Sequence, residues 1–429
     1  MPAQRTSVEL FAGGGGLAMA VHRAGFRPLL LNENMTHACD TLEANGAKPR
    51  DEDEHVPEPG EPWPLARGDI RDLKLGYLYN KVDLLAGGPP CQPFSLGGVA
   101  KGDEDKRNMF PEMFRAIREI SPKAVICENV RGLLRPSFKP YFDYILRELE
   151  FPFEERDPDS SWLQHDAILR AKQKRKNDNS VKRYRVYKFE VNAADYGVPQ
   201  IRHRVIIVAF RGDLDINEAI LKDAVRKTHS ERSLLRSIRD GEYWERHQKV
   251  PKHVRDNVMR QLDDELPLDD ADGGLQPWRT LRDALAGIDD EPPLPPVPWD
   301  RLDRIQYDDM PSDHVGWPDA RIYPGHTPNV LDRPAKTVKA GVHGVPGGES
   351  VMLTDSRHPG PRPASGQRYR HRYMTVRETA RVMTFPDSWR LSGPRGEKMR
   401  QLGNAVPVLL GEVFAKAVGT VLDDVERRS

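Results

Sequence analysis

The sequence predicts an α/β protein built on a doubly wound, mixed but mostly parallel sheet, with a second, smaller and irregular domain. Three observations predict it. Over the first 130 residues, short apolar runs alternate with amphipathic stretches of helical period. Glycines, acids and a cysteine cluster where those apolar runs end, the edge at which doubly wound sheets bind ligands. From about 213 to 330 the periodicity fades into acidic patches, a proline-rich piece (EPPLPPVPWD) and scattered Trp and His.

Each element follows in turn. SVELF reads as a strand and GLAMAVHRAGF as a helix. PLLLNE is a second strand, and the stretch from Met35 to Asn45 a second helix. VDLLAGG is a third, buried strand, MFRAIREI a helix, and AVICENV a further strand. From about 151 to 185 the chain is polar and basic, as expected of an exposed insertion. YKFEVNAADYGVPQIRHRVIIVAF reads as two strands with a loop between them. Helix returns in TVRETARVMTF and again from about Val408. No internal repeat is evident.

Length and composition bound the function. A chain of 429 residues is long for one core and comfortable for two domains. Hydrophobic residues make up 38% and charged residues 30%, which suits globular cores with a well-solvated surface. No run approaches about 18 consecutive apolar residues, so no membrane span is expected. The N-terminus lacks a basic-then-apolar signal pattern. With only Cys39, Cys91 and Cys127, a disulfide scaffold is excluded and a reducing cytoplasm is expected. Net charge is zero but sorted: DEDEHVPEPGEP at 51–62 is acidic, whereas 170–185 carries eight Lys or Arg and one Asp. A local positive face is enough to meet phosphate.

Two motifs carry chemistry. In VELFAGGGGLAMA a strand runs into a glycine-rich turn and then a helix. Glycines let backbone approach a ligand, and a helix start offers free N–H groups. Glu33, at the end of the next strand, could hold ribose hydroxyls. A flexible turn, a dinucleotide site and another nucleoside site all remain open at this point. GGPPCQPFS at 87–95 is more specific. Two prolines fix the backbone before Cys91, among loop-formers rather than core-formers. Cys39 and Cys127, in a helix and an apolar run, fit the commoner fate of a buried structural thiol. Glu128 ends a strand about 37 residues after Cys91 and would lie beside it if the two strands are neighbours.

With these residues in view, the chain resembles the cytosine-C5 DNA methyltransferase family, of the bacterial restriction–modification type. The ordered motifs are the FAGGGG loop, the NE pair at 32–33, GDI at 68–70, GGPPCQPFS, ENV at 128–130 and QIRHR at 200–204. TVRETARVMTFPDSW at 375–389 and GNAVP at 403–407 close the set. The match covers roughly 1–130, 186–212 and 330–420. It departs from the family at Glu9 (usually aspartate), Asn34 (often a large apolar residue), Thr379 (often cysteine) and Val408 (often proline).

The resemblance implies a sheet of the S-adenosylmethionine-dependent methyltransferase (Rossmann-like) type. Residues 1–212, completed by 395–429, would form the catalytic, cofactor-binding domain, and 213–394 the DNA-recognition domain and hinge. It implies transfer of a methyl group from S-adenosylmethionine to carbon 5 of a cytosine flipped out of duplex DNA. Cys91 would be the nucleophile, adding to C6 so that C5 becomes enamine-like. Glu128 would contact the N3 edge and amino group, and Arg202 and Arg204 would lie near the base, with Arg204 on the cytosine oxygen. Alternate positions suggest that both arginines face the same way. Residues 92–110 would form a mobile catalytic loop, with Gly97, Gly98 and Gly102 permitting closure. For the cofactor, the resemblance implies a loop of Phe11, Ala12, Gly13, Gly15, Gly16 and Leu17, with Phe11 on adenine and Glu33 on ribose. Asp69 and Ile70 would hold the adenine edge, Gly87, Pro89 and Phe110 would line it, and Asn404, Ala405 and Val406 would complete the pocket. No metal is expected. The implied partner is duplex DNA, with a cognate restriction endonuclease as a functional partner, and the enzyme would be a cytoplasmic, nucleoid-associated monomer. Three other readings remain: a transfer-RNA-type methyltransferase, a catalytically silent DNA-binding relative, and a nicotinamide dehydrogenase, which leaves Cys91 and GNAVP unexplained.

Overall fold

Apolar alternation in the first half of the chain produces a single eight-stranded sheet. A computed structural model describes residues 4–50, 55–90, 108–174, 180–262, 274–288, 291–322, 327–340, 348–359 and 369–428. The chain runs β1 (Thr6–Leu10), α1 (Gly16–Arg23), β2 (Arg27–Glu33), α2 (Thr36–Ala44), β3 (Lys48–Pro49), β4 (Pro64–Arg67) and β5 (Leu84–Gly87). It continues through α3 (Phe110–Ile120), β6 (Ala124–Val130), α4 (Lys139–Glu150), α5 (Trp162–Gln173), β7 (Tyr184–Asn192), β8 (His203–Arg211) and α6 (Glu218–Ala224). The spatial order is β3-β4-β2-β1-β5-β6-β8-β7. β1 pairs in parallel with β2 and β5, β5 in parallel with β6, and β6 antiparallel with β8. The sheet is therefore mixed and mostly parallel, as the sequence predicts. Its order reverses between β1 and β5, which places the ends of these two strands at the ligand-binding switch point.

The core of this sheet joins Val8, Leu10, Leu30, Leu85, Val125 and Ile207 to Phe110, Met113, Phe114 and Ile117 of α3 and to Phe142 and Ile145 of α4. Gly87 is required by close packing: a side-chain carbon there would lie 2.9 Å from the Leu10 carbonyl oxygen. The stretch at 151–185 is not simply an exposed insertion. Ser161 caps α5 in a capping box with Gln164, and α5 buries His165, Asp166 and Leu169. Its basic charge is partly neutralised: Arg170 pairs with Asp166 at 2.6 Å, Arg183 with Glu150 at 2.7 Å, and Lys172 with Glu154.

Contacts divide the chain into two compact units, one of Met1–Val191, His203–Arg226 and Gly411–Ser429, the other of Asn192–Arg202 and Lys227–Leu410. These bounds differ from a division at 212 and 395, because Asn192–Arg202 and 395–410 group with the second unit. That unit holds β9 (His229–Ser230), α7 (Glu231–Asp240), α8 (Glu242–Arg246), α9 (Lys252–Leu262), β10 (Gln276–Pro277) and α10 (Leu281–Ala286). β11 (Val351–Arg357), β12 (Tyr369–Tyr373), α11 (Val376–Val382) and α12 (Arg395–Asn404) follow. It is more helical between 231 and 286 than fading periodicity suggests. Those helices are short, and each contributes only a few apolar side chains (Leu234, Ile238, Tyr243, Trp244, Val254, Leu262) to a common core with Trp278. The last helix, α13 (Val408–Arg428), begins in the second unit and continues into the first. The stretch Arg395–Arg428, which takes in α12 and α13, is long and apolar enough to cross a membrane, but 67% of its most apolar window is buried inside the protein, as in a core helix.

Candidate active site

The carboxyl ends of five strands gather the sequence-derived residues of the first unit. After β1 the backbone turns through Phe11 at φ 59° and Gly13 at φ 54°, and Gly15 at φ 87° precedes the first turn of α1. A non-glycine residue in the left-handed region is uncommon and strained, so Phe11 is held there by its surroundings. Ala12 N–H donates to the Asn32 carbonyl at 3.0 Å, and Gly15 N–H to the Ala12 carbonyl at 3.0 Å. Gly16 and Leu17 open α1, whose start has no side-chain cap and no acid in its first turn.

Glu33, at the end of β2 and 6% exposed, organises this loop. Its Oε2 accepts from Gly13 N–H at 2.7 Å, and its Oε1 from the N–H groups of Asn34 at 2.9 Å and Met35 at 2.8 Å. Asn32 links the neighbouring strand end by donating to the carbonyls of Ala66 and Gly68, both at 3.1 Å. Asp69 then caps a one-turn helix at Ile70–Asp72 and accepts from Arg71 N–H at 3.0 Å and Arg71 Nε at 2.9 Å. The Arg71 side chain holds the Asp69 carboxyl down to about 2.

The residues present fit S-adenosylmethionine. Two carboxyl acceptors stand at adjacent strand ends, a side-chain carbon at Gly13 would meet open space, and the start of α1, without a side-chain cap, offers N–H donors to a carboxylate. Phe110 is 1% exposed, its ring 6.3 Å from the Phe114 ring.

The catalytic set is partly described. Cys91, with residues 91–107, lies outside the described residues, so the catalytic-loop expectation and its glycines lie there too. The frame around that segment is firm. Met109 N–H donates to the Pro90 carbonyl at 3.1 Å, and Asn129 Nδ2 to the Pro89 carbonyl at 3.0 Å. The role of Asn129 escaped sequence reasoning, although it sits inside ENV. Glu128, 8% exposed, ends β6 beside β5. Gly88 lies against it, since a side-chain carbon there would be 3.7 Å from Glu128 Oε2. Arg204 Nε meets Glu128 Oε1 at 2.7 Å, a pairing made by the antiparallel register of β6 and β8. Cys39 and Cys127 are buried, and burial pushes their thiols up to about 11 and about 12. Neither is poised as a nucleophile.

Arg202 and Arg204 meet different partners. Arg202 is 1% exposed and belongs to the second unit. Its guanidinium donates to the carbonyls of Val338 at 2.9 Å, Gly403 at 2.8 Å and Ala405 at 2.9 Å. Gln200 joins it, accepting from Val338 N–H at 3.1 Å. Arg202 therefore holds the backbone of GNAVP, where Asn404 is exposed and Ala405 and Val406 are buried.

A sheet with its switch point at β1 and β5, acids at the next strand ends and a glycine loop between them defines a Rossmann-like methyltransferase fold. Solved structures of that architecture agree: a DNMT2 of Spodoptera frugiperda has a TM-score of 0.54 at 18% identity, covering 97% of this chain and 99% of that one. The Dnmt2 methyltransferase of S. pombe has a TM-score of 0.51 at 15% identity, covering 98% and 99%. The family model for C-5 cytosine-specific DNA methylase matches residues 5–151 and 169–420, and the chain belongs to that family. Type II methyltransferase M.Eco47II of Escherichia coli is 31% identical over 441 residues, spanning 99% of this chain and 81% of that protein. Type II methyltransferase M.PspPI of Psychrobacter sp. (strain TA137) is 31% identical over 421 residues, spanning 97% and 79%.

Proposed function

We propose that this DNA cytosine-5 methyltransferase acts on a cytosine within a specific duplex DNA sequence and protects DNA in a restriction–modification system, working in the cytoplasm as a monomer. The observation that carries the site assignment is the Glu128–Arg204 pair at 2.7 Å, held against Gly88 just before Cys91. S-adenosylmethionine, when bound, supplies an electrophilic methyl group. Glu33 would accept from a ribose hydroxyl, Asp69 from the adenine amino group, and the start of α1 would meet the carboxylate. The Cys91 thiolate would add to C6 of the flipped cytosine, and the electron pair released to C5 would form the new carbon–carbon bond while the methyl–sulfur bond breaks and its pair stays on the sulfur of the departing S-adenosylhomocysteine. Loss of the C5 proton to water restores the double bond and expels the thiolate. Glu128 would face the N3 and amino edge and Arg204 the O2 carbonyl oxygen, so that the pair stabilises charge that develops on the base during addition.

The test is trapping. Duplex DNA from a random-sequence library carrying 5-fluorocytosine is incubated with the protein and S-adenosylmethionine, with Cys91→Ser as control. A covalent protein–DNA adduct is expected only with Cys91 present, because fluorine cannot leave as the proton does. No adduct across the library sinks the reading, and adduct formation on RNA alone moves the activity to the transfer-RNA branch.

A further inference from the structure

We propose that Arg115 is a positioning residue for the adenine end of the cofactor pocket, holding the turn that carries Asp69 and Ile70 and so setting how well the nucleobase is read. The inference rests on the reading of Asp69 and Ile70 as the adenine edge.

The turn at Ile70–Asp72 is a single 3-10 turn. So short a helix leaves carbonyls without internal partners and has little stability of its own. Arg115, in the middle of α3, reinforces the turn, whose Ile70 carbonyl also accepts from Leu73 N–H at 3.1 Å. Its Nη2 donates to the Ile70 carbonyl at 2.6 Å and its Nη1 to the Leu73 carbonyl at 3.1 Å. The guanidinium is itself fixed on both sides. Nε donates to Glu112 at 2.7 Å and Nη1 to Glu119 at 2.6 Å, three residues before and four after on the same helix face. Glu119 closes the arrangement by accepting from Leu75 N–H at 2.7 Å. Residues 70–75 are thus tied to one Arg–Glu set on α3 at both ends.

The consequence falls on Asp69. Its carboxylate is oriented by capping the turn through Arg71 N–H, and Ile70 beside it is 2% exposed in the core. The direction in which Asp69 offers its oxygens is therefore set by the turn that Arg115 holds. A planar fork with five donors can serve two carbonyls and two carboxylates at once. Lysine keeps the charge between Glu112 and Glu119 but has no fork, so it cannot hold both carbonyls.

Calorimetric titration with S-adenosylhomocysteine and with S-inosylhomocysteine, which lacks the adenine amino group, separates positioning from bulk structure. Wild type is expected to prefer the adenine ligand by about tenfold, the worth of one hydrogen bond to an ionised acceptor. In Arg115→Lys and Arg115→Ala the preference should fall to within about twofold. KM for S-adenosylmethionine should rise about tenfold and kcat change by less than about twofold. Arg115→Lys guards against a variant that fails to fold, and its thermal midpoint is read alongside. Equal weakening of both ligands, or an unchanged preference in both variants, overturns the proposal. A wild type that binds S-adenosylhomocysteine without preferring it overturns instead the assignment of Asp69 to adenine, and no binding by wild type overturns the cofactor site.

Discussion

At Glu9 the fold buries an acid where burial is costly. Glu9 lies in mid-β1, 3% exposed, and one of its carboxyl oxygens is buried without a hydrogen-bond partner. Burial, and then the charge of Glu33, push its carboxyl well above the ordinary value of 4.5. Its pairing positions are Leu31 and Ala86, neither of which offers a charge. The linkage has a definite sign. Below pH 4.5 both folded and unfolded chains carry the proton, and the acid costs no ionisation energy. Above it the unfolded chain releases the proton while the folded chain keeps it, so stability declines until the folded carboxyl titrates. Glu9→Gln removes that slope. Urea unfolding from pH 4 to pH 8 should show the stability of wild type falling relative to that of Glu9→Gln as pH rises. A constant difference across the range would mean that Glu9 titrates in the folded protein as it does in the unfolded chain. At this scale the sequence was partly legible. The strand-end positions of Glu33, Asp69 and Glu128 follow from apolar runs and their ends. The orphaned state of Glu9 does not, because it depends on which side chains of other strands and helices surround it.

Elements show the same division more sharply. Strands β1, β2, β5 and β6 were readable because each is a continuous apolar run, and β8 because VIIVAF is one too. Arg202 was not readable. Its partners are backbone carbonyls at 338, 403 and 405, and carbonyls leave no trace in a sequence. The neighbouring glycine of α12 carries a related constraint. A side-chain carbon at Gly403 would overlap the backbone of Lys339 and Ala340. Backbone cannot step aside as a flexible side chain can, so Gly403→Ala should destabilise the protein by about 1–3 kcal/mol or more. Gly419 in α13 provides the control, since a carbon there would meet only the Phe26 ring at an ordinary 3.7 Å. Gly419→Ala should be neutral or stabilising by about 0.5–1 kcal/mol, as helix propensity dictates. Denaturation midpoints of the two variants measured side by side decide the matter, and equal midpoints would refute the steric account of Gly403.

For the whole molecule, the decisive connection is that the sheet-bearing unit is built from both ends of the chain. α13 returns to it from Gly411 onward. Phe414, Val418, Val421 and Leu422 are at most 1% exposed, and the Phe414 ring packs 5.5 Å from that of Phe189. Arg5, at the start of β1, binds Asp423 and Glu426, and Lys123 reaches Asp83 and Glu426. The ion pairs are partly exposed and contribute little; the apolar face decides. Each fully buried large apolar side chain contributes about 1.5–3 kcal/mol, so these four supply on the order of 6–12 kcal/mol. A whole domain is stable by only about 5–15 kcal/mol. Removing residues 411–429 therefore takes away a contribution as large as the net stability, although none of the catalytic candidates is touched. The shortened chain should aggregate or lose its cooperative unfolding transition, read by circular dichroism on heating and by light scattering. A soluble chain ending at Leu410 that still unfolds cooperatively near the wild-type midpoint would show that the sheet stands without its last helix.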